Sequence, residues 1–175
     1  MIRQASVQDI PEILRIYEAG RAFMRRSGNR TQWTGGYPPE KIIRADIEKN
    51  VLWGMENEAG QLHAVFALIP GDDPTYAHIE GAWRDSSPYA VIHRAASDGS
   101  ERGTFRAMLA FARARYNHLR ADTHADNIPM QRCLQKSGFA YCGIIYLASG
   151  DPRRAYEWSS GSRAGEALIN LATPS

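Results

Sequence analysis

Apolar positions along the chain change period repeatedly, and each change marks an element. Residues 2–5 read as a short strand, after which Ile10, Ile13, Leu14 and Tyr17 fall on one helical face. Asp9 is the expected start of that helix, because Pro11 then sits in the first turn and Glu12 three residues on, as in a capping box. The pattern fades over 20–30, and 27–39 is built from turn residues. A second helix is expected at 39–49 with Ile43 and Ile47 inward, then strands at 51–56, 61–69, 75–84 and 89–96. A polar glycine loop at 97–103 leads into a helix whose Phe105, Met108, Leu109, Ala112 and Tyr116 form one apolar stripe. A strand at 119–123, a helix at 127–137 ended by Gly138, and strands at 139–147 and 153–158 complete the pattern. The hairpins are antiparallel while the central strand–helix–strand run demands a parallel pair, so an α/β fold follows: a mixed, mostly antiparallel sheet flanked by helices. One domain is expected over 1–158, with a small, polar tail at 159–175 that carries a weak apolar patch at 167–171.

Composition narrows this picture. At 175 residues, 43% hydrophobic and 23% charged, the chain suits a single packed core rather than a disordered or fibrous one. No apolar run approaches the ~20 residues that cross a bilayer and no signal-like stretch opens the chain, so a cytoplasmic protein without a membrane partner is expected. Cys133 and Cys142 lack metal-site spacing, so both are read as reduced thiols, with no metal. A net charge of +2 is too mild to imply nucleic acid, and no interleaved basic and aromatic platform supports it. The arginines at 102, 106, 113 and 115 read as one solvated helix face.

Two of them bear on chemistry. Arg102 and Arg106 flank a helix N-terminus, where the free amides already carry partial positive charge and acidic residues are the norm. Either both side chains point into water, or an anion such as a phosphate shares the spot. The spacing GxxxxGK(S/T) is absent, and Gly99-Ser-Glu-Arg-Gly103 is not GxGxxG, so neither familiar nucleotide loop explains it. A GxSxG elbow and HExxH are absent too.

The stretch Ser100-Glu-Arg-Gly103-Thr-Phe105-Arg-Ala-Met-Leu resembles the coenzyme loop of the GNAT family of N-acetyltransferases, which has the form Gln/Arg-x-x-Gly-x-Gly/Ala. Asn127 to Gly138-Phe139 is similar to that family's second coenzyme segment, and Asp122-Thr-His-Ala-Asp-Asn127 through Tyr141-Cys-Gly-Ile-Ile-Tyr146 is similar to a run in uncharacterised bacterial members. The order of elements agrees over 1–158. Two departures stand out: Ser100 and Phe105 replace the first and last motif residues, and Leu134 replaces a helix tyrosine that protonates the departing thiolate in many members.

The resemblance implies transfer of an acetyl group from acetyl-CoA to a primary amine of a small molecule or peptide. It places Ala95, Ala96, Ser97, Arg102, Gly103, Thr104, Phe105, Arg106 and Asn127 around the coenzyme, with an amide of Ala95 or Ala96 facing the thioester carbonyl. The reaction needs an N–H donor for the developing oxyanion, a base for the ammonium proton and an exit for the thiolate. Glu80, His93 and His124 are the candidate bases, and Tyr146 or Tyr141 could stand in for the missing tyrosine. Trp33, Tyr37 and Trp83 are the candidate acceptor contacts, able to stack on an apolar or cationic group. Phe105 and Leu134 keep an alternative in play, a coenzyme-binding or regulatory module without turnover; assembly as a homodimer is left open.

Overall fold

A computed structural model describes residues 1–161; the remainder of the expected tail, with its apolar patch, lies outside the described residues. Along the chain run β1 (Ile2–Gln4), α1 (Ile10–Arg26), α2 (Glu40–Glu48), β2 (Leu52–Glu56), β3 (Leu62–Pro70), β4 (Glu80–Gly81), β5 (Ala90–Ser97), α3 (Thr104–Arg113), β6 (His118–Thr123), α4 (Ile128–Lys136), β7 (Ala140–Tyr146) and β8 (Pro152–Ser159). The strands join one sheet in the order β1-β2-β3-β5-β6-β8-β7-β4. All neighbouring pairs are antiparallel except β5–β6, the parallel pair that the strand–helix–strand run demanded.

β3 reads as a near-continuous apolar run because it is covered on both faces. Phe66 and Leu68 join Met108, Leu109, Leu119 and Leu134 beneath α3 and α4. Val65 and Ala67 pack with Ile13, Ile16, Tyr17 and Ile43 of α1 and α2 on the other face. Further along that second face Tyr76, Tyr89, Val91, Ile145 and Ala155 form a third cluster, covered by the segment between β3 and β5. There Glu157 is the buried anchor: it accepts from His118 Nε2 at 2.8 Å and from the Arg84 amide at 2.7 Å, while Arg120 stacks 4.0 Å from the ring centroids of both Trp83 and Tyr89. No helix among the described residues is long and apolar enough to cross a membrane.

Several local expectations change. Asp9 does not cap α1 through its side chain; it closes a preceding 3-10 turn, where its Oδ2 accepts from the Ser6 amide at 2.7 Å and the Ser6 hydroxyl at 2.8 Å. α1 continues through the faded stretch to Arg26, since its last turns face a cleft rather than the core and so need no apolar stripe. The expected strand at 75–84 is a single 3-10 turn, Pro74–Tyr76, followed by the two-residue β4 on the far edge of the sheet. Tyr76 and Trp83 bury their rings without a ladder, and β4 meets β7 so closely that a Cβ on Gly81 would lie 2.2 Å from the Cys142 carbonyl oxygen. The arginines in and beside α3 also divide: Arg102, Arg106 and Arg115 are exposed, the last with its guanidinium 3.4 Å from the Phe111 ring centroid, whereas Arg113 is half-buried and stacks 4.4 Å from that of Trp158.

The N-terminal turn makes acid sensitivity testable. The Arg3 guanidinium donates to both Asp9 oxygens, at 2.8 and 2.9 Å, and holds that carboxyl well below the usual carboxylate range. A depressed folded-state value contributes stability above about pH 4 that is lost as pH falls below it. Thermal melts between about pH 7 and pH 3 should therefore show a steeper loss for the wild type than for Asp9→Asn; parallel curves would contradict this coupling.

Candidate active site

The parallel pair does not run the length of its strands. Residues 90–92 of β5 pair with 119–121 of β6, and beyond them the strands part. The parting coincides with a bulge, in which Arg94 and Ala95 together stand opposite Phe66 of β3. Arg94 has φ +53°, a left-handed conformation that a long side chain rarely adopts. It is held there by α2: Arg94 Nε and Nη2 donate to the two Asp46 oxygens at 2.9 and 3.0 Å, with both side chains largely buried. Burial works against the guanidinium charge, but Asp46 and Tyr37 outweigh it and raise the pKa of Arg94.

Two cavities of about 490 and 470 Å³ flank the parted strands and share Met24, Trp33, Ala95, Phe105, Asn127 and Met130 as walls. The smaller is the more apolar. It runs from Gly20 and Phe23 of α1, past Ala96 and Ser97, to Gly99 and Thr104 at the start of α3. A Cβ on Gly20 would come within 3.3 Å of the Ala96 Cβ, so the bare glycine sets how near α1 lies to the strand end. At the cavity's outer end Gly103 has φ +74° with open space where a side chain would be. Among the described residues no hydrogen bond reaches the amides of Gly103, Thr104, Phe105 and Arg106, the donors that a helix start leaves free. Phe105, partly buried, packs against the core beneath α3.

The larger cavity carries the titratable groups. His93 Nε2 lies 2.7 Å from Asp73 Oδ2, and its Nδ1 lies 3.8 Å from Asp122 Oδ2. Burial alone would raise Asp73, but hydrogen bonds from His93 and Thr75 overcome it and bring its pKa down to about 2. Asp73 is therefore an acceptor near neutral pH, which makes His93 Nε2 the donor and, in the neutral form of the ring, puts the lone pair on Nδ1. The buried Tyr76 hydroxyl donates to Asp122 at 2.7 Å, and burial followed by the Asp122 charge pushes its pKa well up. Arg153 of β8 lines the same space.

Of the expected site residues, Ala95, Ala96, Ser97, Thr104, Phe105 and Asn127 line the smaller cavity, while Arg102, Gly103 and Arg106 frame its outer mouth without lining it. His93, Trp33 and Tyr37 line the larger one. Asn127 also caps α4, accepting from the Met130 amide at 3.3 Å, and donates to Gln32 at 3.1 Å, which pins the aromatic loop over the cleft. Five candidates fall elsewhere. Glu80 and Tyr146 bond each other at 2.9 Å on the exposed far edge, with β6, β8 and β7 between Glu80 and β5. His124 does not line either cavity: its Nδ1 accepts from the Asp126 amide at 3.1 Å and its Nε2 meets Thr31 at 3.3 Å, so it ties a turn to a loop. Trp83 is a core prop that donates to the Tyr76 carbonyl at 3.0 Å beneath Arg120. Tyr141 is exposed and packs on Tyr156, away from the cleft. Asp73 and Arg153 were not singled out in the sequence, where one reads as a turn residue before Pro74 and the other as a polar strand position.

No protein-family model matches the chain, and no curated relative matches it either. Solved structures do. An acetyltransferase of the GNAT family from Streptococcus agalactiae is 31% identical, aligned over 93% of this chain and 96% of that one, with a TM-score of 0.81. A GNAT-family acetyltransferase from Listeria monocytogenes is 19% identical over 91% of this chain and 94% of its own, with a TM-score of 0.67. A GNAT superfamily phosphinothricin acetyltransferase from Sinorhizobium meliloti, solved in complex with AcCoA, is 12% identical over 91% and 87%, with a TM-score of 0.59. The last two likenesses are of fold alone. The parted parallel strands, the bulge of β5 against β3 and the near one-third identity along almost the whole of both chains agree: this chain belongs to the GNAT family of acetyltransferases.

Proposed function

We propose that the protein transfers an acetyl group from acetyl-CoA to a primary amine of a small molecule or peptide. The observation that carries this reading is the meeting of an apolar cavity and a titratable cavity at Ala95, in the gap between β5 and β6. The likeness to a fold relative solved in complex with AcCoA supports the same reading.

The residues present fit the coenzyme. Free amides at Gly103 and along the first turn of α3 suit a diphosphate, with Arg102 and Arg106 exposed beside them to add charge. The apolar cavity past Ala96 and Phe105 suits an uncharged arm, and main-chain amides of β5 beyond the parting, where β6 no longer pairs with it, would serve as donors to a thioester carbonyl. Bound there, the coenzyme supplies an acetyl group activated as a thioester.

The chain's own residues then manage protons. His93 Nδ1, with Nε2–H committed to Asp73, accepts the proton that an ammonium must lose before its nitrogen can attack, and Asp122 stabilises the imidazolium that results. Trp33 and Tyr37 close the acceptor side, their ring centroids 6.3 Å apart. Leu134 offers no proton to the departing sulfur. A coenzyme thiol ionises near pH 8 to 9, as cysteine does, so the thiolate leaves and collects its proton from water at small cost.

His93→Gln should lower kcat about 100-fold or more while changing acetyl-CoA affinity less than about threefold; near wild-type turnover would remove His93 from the role. Cys133 is an exposed thiol on the wall of the apolar cavity, whereas burial and then Glu157 push Cys142 up to about 12. N-ethylmaleimide should therefore label Cys133 alone in the native protein, and saturating acetyl-CoA should slow that labelling about tenfold or more. Labelling at an unchanged rate would contradict the assigned coenzyme site.

A further inference from the structure

Arg153 is the second residue of β8, opposite Ile145 of β7, and is 6% exposed. Among the described residues its one hydrogen bond runs from Nη1 to the carbonyl of Pro152 beside it, at 2.9 Å, and no carboxylate lies within ion-pair distance. Two other arginines of the sheet with largely buried side chains are paired: Arg94 with Asp46, and Arg120 with Glu157 together with the Asp85 carbonyl at 2.8 Å. A guanidinium keeps its charge at any working pH and carries five donors, so burying one with a single main-chain acceptor is costly unless an anion arrives. Arg153 lines the larger cavity, where its remaining donors can meet such a group.

The rest of that cavity is acidic. Asp73, Asp122 and Asp151 line it, with His93 between the first two, an arrangement that attracts an ammonium. Arg94 also lines it, but its fork is already committed to Asp46. Arg153 supplies one uncommitted positive charge, enough to pair with a single carboxylate, while the three aspartates leave the cavity net negative, which suits an acceptor that also carries an ammonium and opposes a dianionic phosphate. Building on the acetyl-transfer reading above, we propose that the acceptor carries a carboxylate as well as its amine, the carboxylate pairing with Arg153 while the ammonium approaches His93. The substrate class is thus a free amino acid or another carboxylated amine, and Arg153 is the residue that selects it.

The test is titration of the protein saturated with coenzyme A against glycine, leucine, phenylalanine, glutamate and lysine, each beside its primary amide, with aminomethylphosphonate as the phosphonate arm. At least one acid should bind about tenfold or more tighter than its amide and be the better acetyl acceptor. Arg153→Met should abolish that difference, and Arg153→Lys should restore part of it. The rise in melting temperature with coenzyme A, measured on each variant, confirms that it is folded; should Arg153→Met fail this check, the Arg153→Lys variant must show a reduced acid preference. Equal binding of acid and amide, tighter binding of the phosphonate, binding of no acid at all, or a preference that survives Arg153→Met overturns the proposal. Coenzyme A that neither binds nor raises the melting temperature would instead defeat the acetyl-transfer reading itself, so the two failures are distinguishable.

Discussion

The buried pair between Arg94 and Asp46 is the constraint on which the site depends. A left-handed arginine inside a strand costs on the order of 1–3 kcal/mol and persists where surrounding structure over-determines it. Here the fork is met oxygen for oxygen by a carboxylate that α2 carries to the sheet. With Arg94 fixed, β5 takes in one extra residue opposite Phe66 and turns away from β6. The same residue thus sets the pleat that points His93 into one cavity and exposes Ala95 and Ala96 to the other. Loss of Asp46 would strand a buried guanidinium, and the strand would then have every reason to straighten.

The other wall of the opening is held from below. β6 is paired along its whole length with β8, and Glu157 gathers His118, Arg120 and the Arg84 amide into one buried network at its start. β6 therefore stays put while β5 diverges, and the gap is a fixed feature of the sheet. Gln32 accepts from Asn29 at 2.8 Å and from Asn127 at 3.1 Å, so the aromatic loop is tied over this gap by polar side chains. The result is a division of labour across Ala95: apolar walls and free amides on one side, imidazole and carboxylates on the other.

Much of this was legible in the chain. Element order, the single parallel pair, the polar loop before α3 and the cap at Asn127 follow from periodicity and turn chemistry, because each is decided by neighbours in sequence. Ala95, Ala96, Ser97 and Trp33 follow from the family resemblance for the same reason: they sit at a strand end and in a loop of recognisable composition. What escaped is long-range. Glu80 precedes β5 in sequence yet lies across three strands from it, since a 3-10 turn replaces the expected strand and β4 pairs at the opposite edge. Trp83 looked like an acceptor contact because an aromatic beside an arginine reads alike on a surface and in a core; its partner turned out to be Arg120. Asp73 and Arg153 acquire meaning through His93 and through the absence of a paired carboxylate among the described residues, neither of which a one-dimensional pattern records.

A crystal structure of the protein with acetyl-CoA tests the central claim most directly. The account predicts the coenzyme's apolar arm between β5 and β6, its thioester beside Ala95, its diphosphate on the amides from Gly103 to Arg106, and Arg94 still bonded to Asp46. A coenzyme bound elsewhere, or strands paired through to their ends with the bulge gone, would contradict it.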